Sequence, residues 1–130
     1  MSFDYSALEK YCQGMEEASK NLESFLIDFL QEEAEWVEGA TRDRTPVDTG
    51  HLRQRWRVTD VTRNADTLKF ELINDADYAD HVELGHTTRD RSRWIEGAYM
   101  ATISMAKLEQ HMPADLNKEF ALFLKRYGVL

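Results

Sequence analysis

A single cysteine, Cys12, is the only thiol in this chain of 130 residues, so neither an internal disulfide nor a zinc site of thiolates can be built. Two prolines and six glycines are few for the length, which leaves room for long regular elements. Long apolar runs are missing too. The longest uncharged stretch, Gly97 to Ala106, falls well short of the roughly 20 residues a membrane helix needs. The first ten residues carry acids where a signal peptide would carry bases, and they lack an apolar segment. Bases are scarce against acids, 16 to 24, for a net charge of −8 and a pI near 5.0. That balance argues against a protein whose main task is gripping nucleic-acid phosphates. What is present is 42% hydrophobic residues, enough to bury a core. The expectation is one soluble domain over 1–130, in a reducing compartment and with no membrane contact.

The charge is unevenly spread. Residues 1–40 hold 10 acids and 2 bases, whereas residues 41–63 hold 6 arginines and 3 aspartates. Residues 64–86 are acidic again, and 87–130 slightly basic. Alternating patches of opposite sign suit contact between neighbouring copies, although a solvated acidic helix face would look the same.

Residues 1–44 read as helical. Ser6 and Glu9 have capping-box spacing. Leu8, Met15, Leu22, Phe29 and Trp36 recur every seven residues, with Tyr11, Ala18 and Phe25 beside them. Gly14 predicts a kink between a short first helix and a long one from about Met15 to Arg42. Pro46 ends the helix, and Val47-Asp48-Thr49-Gly50 reads as a tight turn, Gly50 taking a positive φ. Over 51–74 the period changes to two and predicts an antiparallel hairpin. Leu52, Trp56 and Val58 lie on its inner face, Arg53, Arg55 and Arg57 on its outer face, and Asn64-Ala65-Asp66 makes the reversal.

Segment 75–93 is less regular. Gly85 closes a short element, and a polar loop from His86 to Arg93 carries Arg89, Arg91 and Arg93. Over 94–130, Trp94, Ala98, Ala101, Met105, Leu108 and Met112 predict an amphipathic helix after a Ser92 N-cap. Pro113 separates it from a last helix that Gly128 ends. The fold class is therefore α+β: a long N-terminal helix packed on a small antiparallel sheet built around a β-hairpin, with two C-terminal helices.

No constellation in the sequence calls for catalysis or a cofactor. His81 and His86 are five apart with Gly85 between them, unlike the i, i+4 pair of a metalloprotease helix. Glu83 and His86 have the i, i+3 spacing of a di-iron motif but lack its second copy. Cys12 lies on the apolar stripe, where an inert thiol is the expectation. Asp48 is accounted for by turn chemistry. We therefore expect no catalytic residue, no metal and no cofactor. The arginines form the more informative group: Arg53, Arg55 and Arg57 at period two, together with Arg89, Arg91 and Arg93, read as an assembly interface for the acidic helix of a neighbour or as a solvated face.

Three blocks resemble a known family. Arg44-Thr45-Pro46-Val47-Asp48-Thr49-Gly50-His51-Leu52-Arg53 is similar to a "P-V-D-T-G-x-L-R" signature. Asn74 followed by Tyr78-Ala79-Asp80-His81-Val82-Glu83-Leu84-Gly85-His86 is similar to "N…Y-A-x-x-V-E-x-G". Trp94-Ile95-Glu96-Gly97-Ala98-Tyr99-Met100-Ala101-Thr102-Ile103-Ser104 is like a version found in prophages of Gram-positive bacteria. In this order they are the mark of the tail-completion, or head-to-tail joining, proteins of long-tailed phages, the gene-product-ten type.

The resemblance implies a structural virion protein of the neck and not an enzyme. Its subunits would form a six-fold ring between a head-completion (stopper) protein and the tail terminator or tail-tube protein. DNA would only pass through the channel, and the protein would occupy the host cytoplasm during assembly. A tail terminator capping the tube is the alternative, and a small protein-binding adaptor a second. Pro46, Asp48, Thr49, Gly50 and Gly85 would be the turn residues that define the fold.

Overall fold

The computed structural model describes residues 4–47 and 50–130. Among the described residues ten elements follow in chain order: α1 (Ser6–Arg44), α2 (Gly50–Gln54), β1 (Trp56–Val58), β2 (Thr62–Asn64), β3 (Thr67–Lys69), β4 (Leu72–Asn74), α3 (Ala79–Leu84), β5 (Gly85–Thr87), β6 (Trp94–Glu96) and α4 (Met100–Arg126). The class is α+β, with long helices at each end and short antiparallel hairpins between them. No described helix is long and apolar enough to cross a membrane. The chain divides into two compact units, one of residues 1–29 with 111–130 and the other of residues 30–110, so α1 and α4 each contribute to both.

The first unit is helical. Helix α1 starts at a local cap in which the Asp4 carboxylate accepts the Ser6 N–H at 2.9 Å, a bond that lowers the Asp4 pKa. The first intrahelical bond then runs from the Glu9 N–H to the Tyr5 carbonyl. Asp4 therefore takes the capping role that the Ser6/Glu9 spacing suggested.

Gly14 does not divide the helix in two. It is buried, and a Cβ there would collide with the Tyr127 carbonyl oxygen. The glycine serves close approach of the chain end, and the helix runs through it as 39 residues. Phe25 stacks on Phe123 at 4.6 Å between centroids, with Phe29, Phe120 and Tyr127 completing an aromatic cluster. Helix α4 ends in a Schellman motif: Val129 N–H bonds to the Leu124 carbonyl, Gly128 N–H to the Lys125 carbonyl, and Gly128 has φ +73°.

Pro113 lies inside α4, so the two C-terminal helices expected there are one helix of 27 residues. The carbonyl that Pro113 leaves without its helical donor belongs to Glu109, and both residues are exposed, where water can serve it.

The second unit centres on Leu52, Trp56, Ala79 and Met100, with Leu72, Ala76, Tyr78, Val82, Ala98 and Ala101 packed around them. Residues 50–54 form the one-turn helix α2, not the first half of a strand. Leu52 and Trp56 are four apart, a spacing that both a helix and an alternating strand place on one side. That coincidence explains the period-two reading.

Two paired segments, β1 with β4 and β2 with β3, make the hairpin. Val58 pairs with Leu72 and Thr62 with Lys69, so residues 59–61 oppose only residues 70–71 and the strand carries a bulge. Thr59 secures it, its N–H donating to the Glu71 carbonyl and its hydroxyl accepting the Glu71 N–H. The reversal at Ala65 (φ +56°) and Asp66 lies where the sequence suggested.

Helix α1 is bonded to this hairpin by side chains. Arg42 donates to the Trp56 carbonyl at 2.8 Å, and Glu38 accepts the Val58 N–H at 3.0 Å while pairing with Arg42 at 2.7 Å. Trp56 also donates its indole N–H to the Thr45 hydroxyl, which in turn donates to the Thr41 carbonyl.

Candidate functional site

The sequence motifs resolve into two groups, those that build the second unit and those that it displays. In the first group Asn74 bonds to two elements: its amide donates to the Leu52 carbonyl at 2.8 Å and its Oδ1 accepts the Ala76 N–H at 3.0 Å. Glu83 reaches across to the start of α4. Its Oε1 accepts the Ala101 N–H, and its Oε2 accepts both the Thr102 N–H and the Thr102 hydroxyl, at 2.9, 2.9 and 2.6 Å. This is an N-cap supplied from 18 residues upstream, and it places a carboxylate at the positive end of the helix dipole.

Both Glu83 oxygens are thus engaged in capping α4. The His81 and His86 rings stack at 5.4 Å.

Gly85 has φ +90°, and a Cβ on it would sit 2.7 Å from the Ile95 carbonyl and 2.9 Å from the Gly97 nitrogen. A Cβ on Gly97 would in turn run into the Glu83 carbonyl and the Gly85 nitrogen. The two glycines let backbones meet where β5 pairs with β6. Sequence reasoning singled out Gly85 but not Gly97. The remaining turn residues fare differently. Pro46 is exposed just after α1. Gly50 opens α2, and an added Cβ on it would meet nothing within 4 Å among the described residues. Asp48 and Thr49 lie outside the described residues.

The arginines do not form one stripe. Of Arg53, Arg55 and Arg57, the last alone is on a strand, exposed in β1. Arg53 and Arg55 belong to α2 and its exit, where Arg53 faces Asp43 at 3.8 Å and Arg55 faces Asp75 at 3.6 Å. Arg55 also donates to His51. Arg89, Arg91 and Arg93 do gather on one feature, the tip of the β5–β6 hairpin. Trp94 belongs to that hairpin and not to a helix, because the Gly85 and Gly97 backbones draw 94–96 into a strand and α4 begins only at Met100.

The tip is held from within. Thr88 and Arg93 continue the ladder, and Arg91 (φ +60°) donates its N–H to the Thr88 carbonyl at 2.8 Å. Asp90 Oδ1 accepts from the Thr88 hydroxyl, the Ser92 hydroxyl and the Ser92 N–H, at 2.7, 2.7 and 3.0 Å. These bonds lower the Asp90 pKa to about 2. Ser92 thus serves Asp90 and caps no helix. At the hairpin's base the Tyr99 hydroxyl donates to Glu96 at 2.6 Å, raising the Tyr99 pKa and lowering that of Glu96.

This arrangement can present three cations on an exposed loop that is hydrogen-bonded within itself. Its setting is given by residues 9–85, which match the model of the HK97-gp10-like family, described as a tail component of bacteriophage. The chain belongs to this family. It is accordingly a phage tail component, a class of structural virion proteins. No curated protein and no solved structure matches it. Within the family match lie Asn74, Glu83 and Gly85, whose roles here are a tether, a helix cap and a backbone crossing. The arginine tip and Gly97 lie beyond its last residue.

Proposed function

We propose that this tail component completes the tail at the neck and joins it to the head as a subunit of a six-fold ring, without chemistry of its own. The single observation that carries the reading is the hairpin tip, hydrogen-bonded within itself and bearing Arg89, Arg91 and Arg93, on a member of a tail-component family. A ring uses heterologous contacts, so a cationic projection on one copy needs an anionic surface on the next or on a neighbouring neck protein. The acid-rich α1 offers such a surface. A preformed loop loses little entropy on docking, so the Asp90 network favours its use as a contact. Head-completion and tail-terminator or tail-tube proteins are the proposed neighbours, DNA passes through, and assembly takes place in the host cytoplasm.

The test is to build Arg89→Glu, Arg91→Glu and Arg93→Glu together into the phage genome and image the lysate. Full heads beside finished free tails are expected. Normal virions would remove the arginine tip from the account, and overlong tails would assign the protein to termination instead.

A further inference from the structure

The helical unit buries one member of the seven-residue repeat of α1 and leaves three of them largely exposed. Ala18 and Phe29 are buried, whereas Leu8, Met15 and Leu22 are 58%, 50% and 37% exposed. Between them and α4 runs a groove of about 190 Å³ lined by Met15, Ala18, Leu22, Phe120, Leu124 and Val129. Its two flanks differ in sign. On α1 the next row round from the apolar stripe is Glu9, Glu16 and Glu23, again seven apart, and Lys20 beyond it pairs with Glu17 at 3.6 Å. On α4 the flank beyond Leu124 carries Lys118 and Lys125, seven apart, with Ala114, Asn117 and Ala121 between, and no acid.

We propose that this groove is covered by the same groove of a second copy of the chain, forming a four-helix bundle. An apolar face with one acidic and one basic edge is self-complementary under a single two-fold arrangement. With the axis running along the helices, α1 of one copy lies over α4 of the other, and each row of glutamates meets a row of lysines. With the axis across the helices, α1 lies over α1 and glutamates oppose glutamates, which is disfavoured. A foreign partner would have no reason to require both signs at this spacing. The inference uses only the helical unit and does not rest on the neck reading.

Sedimentation of the full chain across the micromolar range tests it. The wild type is expected to shift from monomer towards dimer with rising concentration. Leu22→Glu, at an exposed position, should weaken that self-association by ~tenfold or more, with its helical circular dichroism kept. The pair Glu9→Lys and Glu16→Lys should weaken it, as should Lys118→Glu with Lys125→Glu, and the four changes together should restore it. A wild type that stays monomeric, a Leu22→Glu chain of unchanged mass, or a fourfold variant without recovery would each overturn the proposal. Because all readouts are solution masses, failure here leaves the particle-imaging result on Arg89, Arg91 and Arg93 untouched.

Discussion

The two units are held by different kinds of force. In the helical unit the described contacts are mainly packing: Phe25 on Phe123, and Gly14 admitting the Tyr127 backbone. Around Leu52 and Trp56 the apolar core is small, and directional bonds from Glu38, Arg42, Thr45, Asn74 and Glu83 fix which backbone atom meets which side chain. Packing constrains volume and tolerates exchange among similar shapes; a named donor and acceptor does not. Motif residues therefore concentrate in the second unit, and periodicity alone marks the first.

Substitutions can break or sharpen this contrast. The largest effect is expected at Gly85→Ala, which demands a left-handed φ of an alanine and drives a methyl into backbone. A loss of ~3 kcal/mol in urea unfolding is expected, and a loss under about 1 kcal/mol would mean that the β5–β6 crossing yields easily. Next is Gly14→Ala, where the sign decides. If the glycine only loosened the helix, alanine would stabilise by about 1 kcal/mol; the collision with Tyr127 predicts a loss of ~2 kcal/mol instead.

Glu83→Gln should cost about 1 kcal/mol, because one capping oxygen and the charge at the α4 N-terminus are lost. Hydrogen exchange should show it first, as faster exchange of the Ala101 and Thr102 amides than elsewhere in α4. The smallest effect is local and acid-dependent. Asp90 has a folded pKa of about 2 against its ordinary 3.8, so its contribution to loop order is present above that ordinary value and is lost as pH falls through about 2. A carbon-detected NMR titration of the Asp90 carboxyl should give a midpoint near 2, and a midpoint near 3.8 would mean that the loop network is not formed in solution.

How much of this was legible in the sequence follows the same division. The α+β class, the helical character of the first forty-odd residues, the reversal at Ala65-Asp66 and the stop at Gly128 all follow from period, turn chemistry and caps. The misreadings share a cause. Leu52 and Trp56 fit either period. Trp94 and Ala98 are spaced as on a helix, yet Gly97 and Tyr99 (φ +49°) turn the chain between the strand and α4. Gly14 looked like a breaker because nothing in its neighbourhood names Tyr127, 113 residues on. Glu83 as a cap was hidden for the same reason, since its donors come from 18 residues downstream. The Arg89, Arg91 and Arg93 group was visible as a cluster, but the hydrogen-bond network beneath it was not, although Thr88, Asp90 and Ser92 are the residue types that close such loops.

The Glu38–Arg42 pair has a bearing on how copies can be joined. Hairpins with an open outer edge recruit further strands, the usual route to sheet extension and to aggregation. Here the carbonyl of Trp56 and the amide of Val58 already have bonding partners on α1, so β1 offers no ladder to a newcomer on that side. A neighbour that meets the protein along this edge of β1 must do so through side chains, because the strand that lies nearest the core is closed to addition there.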